Sequence, residues 1–521
     1  MSTTNAPVEV VTEAAAEETA KLRRHFGRFD VFFFLICTLV GLDTIGSVAA
    51  HGGEGFTWLL FLSVLFFAPY AMLTSELGTA FPEEGGPYVW TRMAFGRFVG
   101  AVNSIIYWIS NPIWLGGSLT ITAITVFGTF FTPLTGVSKW IFAIGFIWLA
   151  VWSAIMSFDK GKWLPTIGGF ARITLLSFFT LSVVLYAIKH GVHGIGGGGF
   201  KPTYAVFIAV VPVLFFNFVG FELPSTAGEE MKDPQRDVPI GILRAGIGTV
   251  LLYGLPVLSI LLVLPLSQVT SLSGFVTAIQ TVFTVWGGHV ASNGTATLTG
   301  AGQLFGDLAA IGFIAVLLTS GSAWIMGADR AQAVACYDGA GPRFLGTISS
   351  RFGTPVRMNI LSGIMSTALF VMAIEITSGN AAKYFTVVLS LAISTTTISY
   401  LAIFPALYKL RRSHPDVPRP YRVPGGNAGA MIISLVCFGW SALATIALLW
   451  PGFGTSNPDS ALTSVGFAGQ RLQFELSQFI PLIVLFGLGC VFYVLGGRTR
   501  RHMVKRTIPV GAESDVGVVP A

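Results

Sequence analysis

Leu39-Val-Gly-Leu-Asp-Thr-Ile-Gly-Ser47 interrupts the first long apolar run of this 521-residue chain with two glycines and a carboxylate. A later run is interrupted in the same way by Phe215-Phe-Asn-Phe-Val-Gly-Phe-Glu222. A carboxylate at membrane depth is costly unless it faces a cavity or a partner, so it marks a functional pathway. Glycine at that depth lets a helix unwind and leaves main-chain groups free to hold a ligand. Two broken helices in corresponding places are the best sequence pointer to a binding site between two structural repeats.

The surrounding composition supports that reading. The chain is 53% hydrophobic and 11% charged, with a mean hydropathy of +0.72, whereas a soluble domain carries roughly 25% charged residues. A span needs about 20 mostly apolar residues, and about twelve candidates centre near Leu39, Phe66, Trp114, Trp148, Ser177, Pro212, Gly254, Ala315, Met365, Leu391, Cys437 and Phe486. Runs that are apolar on every face predict helices rather than a barrel. Cys37, Cys336, Cys437 and Cys490 are scattered, with no CxxC or Cys/His cluster, so no metal and no cofactor is expected. The N-terminal stretch is acidic and Ala-rich (Glu13-Ala-Ala-Ala-Glu-Glu18) and lacks the apolar core of a secretion signal.

Positive charge predicts the orientation. With the N-terminus in the cytoplasm and twelve spans, loops on the cytoplasmic side carry about 25 of the 31 Lys and Arg residues, which places both termini inside. The net charge of +6 follows from that asymmetry, and no basic stripe with interleaved aromatics suggests nucleic acid. After the second span, Phe81-Pro-Glu-Glu-Gly-Gly-Pro-Tyr-Val-Trp90 leads into an amphipathic segment near Arg92 to Phe98. After the seventh, the connection from about Ser267 to Gln303 has no Lys or Arg and holds an apolar stretch, Phe275 to Trp286, too short to span comfortably. The two loops suit a five-plus-five inverted repeat, with the broken first and sixth spans in equivalent places.

These residues resemble the amino acid–polyamine–organocation permease superfamily. The resemblance rests on Thr44-Ile-Gly-Ser47, Glu76-Leu-Gly-Thr-Ala-Phe-Pro-Glu-Glu-Gly-Gly-Pro-Tyr88, Phe218-Val-Gly-Phe-Glu222, Glu229-Glu-Met-Lys-Asp-Pro234 and Pro418-Arg-Pro-Tyr-Arg-Val-Pro-Gly-Gly426, in order from about Arg28 to Gly497. Asp43-Thr-Ile-Gly-Ser-Val-Ala-Ala50 and Ser225-Thr-Ala-Gly-Glu229 look like the polyamine-transporter branch; glutamate/GABA exchangers share Pro82-Glu-Glu-Gly-Gly86. The resemblance implies an all-α, LeuT-like membrane fold with discontinuous first and sixth helices. It divides the chain into a disordered cytoplasmic tail (1–28), a transport core (29–410), two peripheral helices (411–497) and a cytoplasmic C-terminal tail (498–521). It further implies a multi-pass plasma-membrane permease for amino acids or related amines, monomeric or homodimeric, working by alternating access.

In the family the substrate amine meets carbonyls of the first and sixth helices, and its carboxylate meets N–H groups of the first. Carried over, the donors are those of Gly46, Ser47 and Val48, and the acceptors are carbonyls near Leu42, Ile45, Phe216 and Phe218, with Asn217 and Gly220 at the same break. Half-helix N-termini favour anionic groups, which gives the assignment a physical basis. Val48 departs from the family's Ile-Gly-Ser-Gly, because a β-branched residue resists the φ values glycine supplies. Asp43 is atypical too, and predicts a substrate rich in positive charge; its alternatives are a partnership with Arg172 or a cap on the break. Glu222 matches the family's sixth-helix acid, with proton coupling or gating as its role and a structural bridge as the alternative. Phe216 occupies the place of an aromatic gate, able to add cation–π attraction.

Arg172 lies within the fifth span. Some proton-coupled relatives carry a lysine there in place of a sodium ion; arginine supplies the charge but does not release it near neutral pH. Sodium independence follows if it fills that place. The alternatives are Arg172 reaching for the cytoplasm and sodium bound by Thr319-Ser320. Nucleophile–base and metal-protease signatures are missing, which weighs against an enzyme, and two breaks at one depth suit a closed site better than a channel filter. Beside an amino acid or amine carrier leaning to cations, a polyamine-specific transporter and a non-transporting receptor of the same fold remain as alternatives.

Overall fold

The computed structural model describes residues 8–12, 14, 17–18, 27–156, 163–192, 200–377, 379–464, 467–501, 503–507 and 518–519. Among these, twelve helical segments are long and apolar enough to cross a membrane, and each of the twelve expected centres falls inside its own segment. Burial sorts them. The first span (Arg28–Ala49), third (Arg97–Phe130) and tenth (Ala381–Ser413) have 89%, 78% and 78% of their most apolar windows buried, against 22% for the twelfth (Arg471–Leu495). The first three build the centre. The twelfth lies at the rim, where Ile483 and Val494 are exposed as lipid-facing side chains would be.

Two spans are discontinuous. The first runs as helix Arg28–Leu39, loses helical geometry at Val40 and Gly41, turns through Leu42–Thr44 and resumes as Ile45–Ala49. The sixth (Tyr204–Gly228) runs as helix Tyr204–Phe218, opens at Val219 and Gly220, and continues as a tight 3₁₀ segment, Leu223–Glu230. The half-helices Ile45–Ala49 and Tyr204–Phe218 pack side by side, so the breaks adjoin. The fold is the all-α five-plus-five inverted repeat expected, with its two opposed loop helices. Pro87–Phe95 follows the second span (Gly52–Ala80), and Gly274–Phe283 follows the seventh (Pro234–Val263).

The second loop helix belongs to a connection that closes over the first break. A Cβ on Gly46 would lie 2.7 Å from the Ser271 carbonyl oxygen and 3.0 Å from that of Thr270, so only glycine lets this loop approach. Most tail residues expected to be disordered lie outside the described residues. Of the described ones, Val8–Thr12 pairs antiparallel with Met503–Thr507, which also pairs with Val518–Val519.

Candidate substrate site

The first break leaves the Thr38, Leu39 and Val40 carbonyls without helical partners, and side chains take up all three. Thr38 O accepts from Trp324 Nε1 at 2.8 Å, and Leu39 O from the Tyr253 hydroxyl at 3.0 Å. Val40 O accepts from Arg172 Nε at 2.9 Å, and Gly41 O from Thr44 Oγ1 at 3.2 Å. The Gly41 N–H donates to the same Tyr253 hydroxyl at 2.7 Å. Buried main-chain groups must find partners; here the eighth, seventh and fifth spans supply them for Thr38, Leu39 and Val40.

What stays open is a side chain. Asp43 is 2% exposed. Its Oδ2 accepts from Trp114 Nε1 at 2.9 Å and Ser118 Oγ at 2.7 Å. Its Oδ1 has no hydrogen-bond partner among the described residues. Ser118 is delivered by a widened turn, Leu115–Leu119, in which Gly117 leaves helical geometry (φ −93°, ψ −109°); such insertions recur at functional sites because they re-aim a side chain. Gly41 makes room for the acid: a Cβ there would stand 3.0 Å from Asp43 Oδ1, 3.5 Å from the Tyr253 hydroxyl and 3.6 Å from the Trp114 ring.

Aromatic rings wall the same place. Trp114 stands edge-to-face against Phe216 (5.6 Å) and Trp324 (6.1 Å). Phe216 is half-buried, whereas Phe215, Asn217 and Phe218 beside it are buried. Phe218 turns away and stacks on Phe67 at 4.6 Å. Asn217 leaves both amide atoms, and Ser47 its hydroxyl, buried without a partner among the described residues. Gly46, Ser47 and Val48 lie within the helical turn Ile45–Ala49, Leu42 and Ile45 are buried core positions, and Phe216 O accepts from Val219 N at 3.4 Å.

The sixth-span break is built differently. Gly220 has φ +131°, a conformation that favours glycine, and a Cβ would lie 3.2 Å from the Trp324 ring. The Tyr70 hydroxyl of the second span accepts the Gly220 and Phe221 N–H groups, each at 3.0 Å, and donates to Glu222 Oε2. Glu222 Oε1 accepts from Tyr107 at 2.7 Å and Tyr400 at 2.6 Å. The acid is fully buried, both oxygens are bonded, and one carboxyl joins the second, third, sixth and tenth spans.

Arg172 is fully buried between the first break and the eighth span (Ala301–Ala340). Besides Val40 O, it donates to Cys37 Sγ at 3.1 Å, Thr319 Oγ1 at 3.4 Å, Val316 O at 3.1 Å and Ser320 Oγ. It does not reach for a surface, and among the described residues no salt bridge joins it to Asp43. Thr319 and Ser320 thus serve the guanidinium. At the end of the bundle that carries the termini, three acid–base clusters bridge the spans. Glu76 pairs with Arg411 and Arg419, Arg330 with Glu84 and Glu230, and Asp338 with Arg92 and Arg97. Between the first two spans, burial lowers the His51 imidazole below its ordinary range, and its Nδ1 lies 2.9 Å from Ser47 O.

At the paired helix breaks, then, an acid with one oxygen unpartnered among the described residues stands beside three aromatic rings. The family model described as "Amino acid permease" matches residues 26–469. The chain belongs to that family. The permease is 28% identical over 410 residues to a Lactococcus lactis protein named "Probable agmatine/putrescine antiporter", covering 78% of this chain and 84% of the relative. An uncharacterized transporter of Legionella pneumophila is 27% identical over 440 residues (81% and 89%), and a polyamine transporter of Oryza sativa 25% over 380 residues (71% and 64%). The permease is a multi-pass membrane protein and a secondary transporter for amino acids or amines.

Several residues of the site escape a reading of the motifs. Trp114, Ser118, Trp324, Tyr70, Tyr107, Tyr253 and Tyr400 lie outside the two interrupted stretches and are brought in by five other spans. A signal existed: a tyrosine hydroxyl or indole N–H at the middle of a span must be met by an acceptor.

Proposed function

We propose that this permease carries small organic cations that lack an α-carboxylate, such as diamines and guanidino-amines, by alternating access and without sodium. One observation carries the reading. The main-chain groups opened from Thr38 to Gly41 are engaged by protein side chains, while Asp43 Oδ1 has no partner among the described residues. A site whose remaining polar equipment is an acid, an amide and a hydroxyl suits an ammonium or guanidinium, and Trp114, Phe216 and Trp324 add cation–π attraction. The bacterial relative named for agmatine and putrescine agrees with this substrate class.

Arg172 supports the sodium-independent part of the reading. Its guanidinium fills an oxygen-lined gap between the first break and the eighth span, where a monovalent ion would find the same acceptors. Glu222 serves the conformational change. A proton taken up there turns an acceptor into a donor against hydroxyls that already donate, which gives a coupling proton a place to act on four spans at once. The relatives named as transporters favour a carrier over a non-transporting receptor. Both termini lie on the cytoplasmic side of the plasma membrane in this reading, as the positive loops require.

The test is counterflow in liposomes holding purified protein, comparing agmatine with arginine and putrescine with ornithine. Each pair differs by the carboxylate alone. Preference for the decarboxylated member of both pairs supports the reading, and equal or reversed preference refutes it.

A further inference from the structure

Asp329 is a buried acid that neither helix break uses. It lies on the eighth span, about 16 Å of helix from Ala340 and so near the middle of a bilayer core about 30 Å thick. Its Oδ1 accepts from Trp108 Nε1 of the third span at 2.9 Å and from Ser362 Oγ of the ninth (Val356–Glu375) at 2.6 Å. Its Oδ2 has no hydrogen-bond partner among the described residues, and no salt bridge among them reaches either oxygen. Residues three apart share a helix face, and the unmet groups on these two faces are acceptors as well. Gln332, three residues on from Asp329, donates Nε2 to Cys336 Sγ at 3.6 Å and leaves Oε1 unpartnered. Asn359, three residues before Ser362, leaves Oδ1 unpartnered. Both are buried, and both step from the acid towards the end of the bundle that carries the termini. Three acceptor oxygens therefore stand without a donor, and one proton on the acid would supply it.

We infer that Asp329 is a proton-binding site of this permease: it holds a proton while the ion pairs at the terminal end are closed, and exchanges it with that end along the faces marked by Gln332 and Asn359. The inference rests on the carrier activity and not on the choice of substrate. An isolated buried carboxylate neutralises rather than keeps its charge, because nothing around it repays the lost hydration. The charged groups on the elements packed against Asp329 are committed elsewhere. Arg330, next in the chain, pairs with Glu84 and Glu230, and Arg92 and Arg97 pair with Asp338. Arg172 serves the first break, and Arg357 of the ninth span donates to Phe344 O at 3.1 Å. Lys139, Asp307 and Glu375 lie towards the opposite end of the fourth, eighth and ninth spans. Tyr107, beside Trp108, is held by Glu222. Glu222 itself is the contrast: hydroxyls donate to both its oxygens, so no place is left there for a proton in this arrangement. Arg330 gives the proton something to act on. Its guanidinium joins Glu84, after the second span, to Glu230, after the sixth. Loss of the proton sets a third carboxylate beside that guanidinium, and the competition weakens the tie between the two spans.

The experiment uses the full chain and two readouts. Infrared spectroscopy at neutral pH reads the carboxylic-acid C=O band of a protonated side chain. Uptake into proteoliposomes under an imposed pH gradient, with agmatine and arginine as probes, reads the coupling. The wild type is expected to show the band and to accumulate substrate under the gradient. In D329N the band is lost, and gradient-driven uptake drops to the level of protein-free vesicles while counterflow stays above it; in D329E both return. Should D329N not be recovered folded, Ser362→Ala removes one donor from Oδ1 and shifts the band. An unchanged band in D329N, or an unmoved band in S362A, overturns the assignment. So does gradient-driven uptake that D329N keeps, which would make Asp329 a static acid, and so does wild-type uptake indifferent to the gradient. Failure of the proposed substrate class looks different: the wild type then prefers arginine, and both readouts still apply.

Discussion

The two helix breaks carry one acid each, and the protein treats them in opposite ways. Glu222 is closed off: three tyrosine hydroxyls from three spans fill both of its oxygens. Asp43 is half open: an indole and a serine fill one oxygen, and the other has nothing among the described residues. An unmet buried carboxyl oxygen costs a desolvation penalty and calls for an explanation. Under the proposed function the two acids do different work: Asp43 meets the ligand, and Glu222 holds spans together until the carrier changes state.

Substitutions can break that contrast. Asp43→Asn is expected to have the largest effect, removing a charge-assisted contact of about 1.5–3 kcal/mol. Agmatine binding should weaken by about 10- to 100-fold, as read by titration calorimetry, and an unchanged Kd would remove Asp43 from the site. Gly41→Ala comes next. Its methyl would sit 3.0 Å from Asp43 Oδ1, and affinity should fall by about tenfold through overpacking of about 1–3 kcal/mol; wild-type affinity would mean the acid swings elsewhere to bind.

Glu222→Gln sharpens the contrast from the other side. Its amide keeps one acceptor, and tyrosine hydroxyls can turn to accept from its NH₂. Agmatine affinity should stay within about threefold of wild type while turnover in counterflow falls; a loss of binding as deep as that of Asp43→Asn would make the two acids equivalent. The smallest effect is expected from the solution. Replacing sodium with choline should leave uptake unchanged, because Arg172 already occupies the oxygen-lined gap beside the first break. Strict sodium dependence would contradict that placement.

The breaks were legible because a carboxylate inside an apolar run is costly in lipid, and a glycine close by lets the helix open around it. Gly41 with Asp43 and Gly220 with Glu222 are both visible in sequence. So were the twelve spans, since hydropathy is a local property. The point of unwinding was less so. The interrupted stretch Leu39 to Ser47 contains two glycines with different work: the chain opens at Val40 and Gly41, and Gly46 is needed for the approach of the loop at Thr270 and Ser271. The partners were the hardest to see. That Tyr107 meets one acid while Trp114, two turns further along, meets the other depends on packing between distant spans, and Ser118 joins Trp114 through the widened turn at Leu115–Leu119. Arg172 shows the middle case: its residue type at membrane depth flags a role, but its choice of Val40 O and Ser320 over Asp43 is a matter of tertiary geometry.

The most direct test is an experimental structure of the permease with agmatine bound. The account predicts a cationic nitrogen about 3 Å from Asp43 Oδ1, with an aromatic face of Trp114, Phe216 or Trp324 against the ligand and Glu222 still held by its three tyrosines. A ligand seated on Glu222, or gripped by main-chain carbonyls with Asp43 Oδ1 left bare, would contradict it.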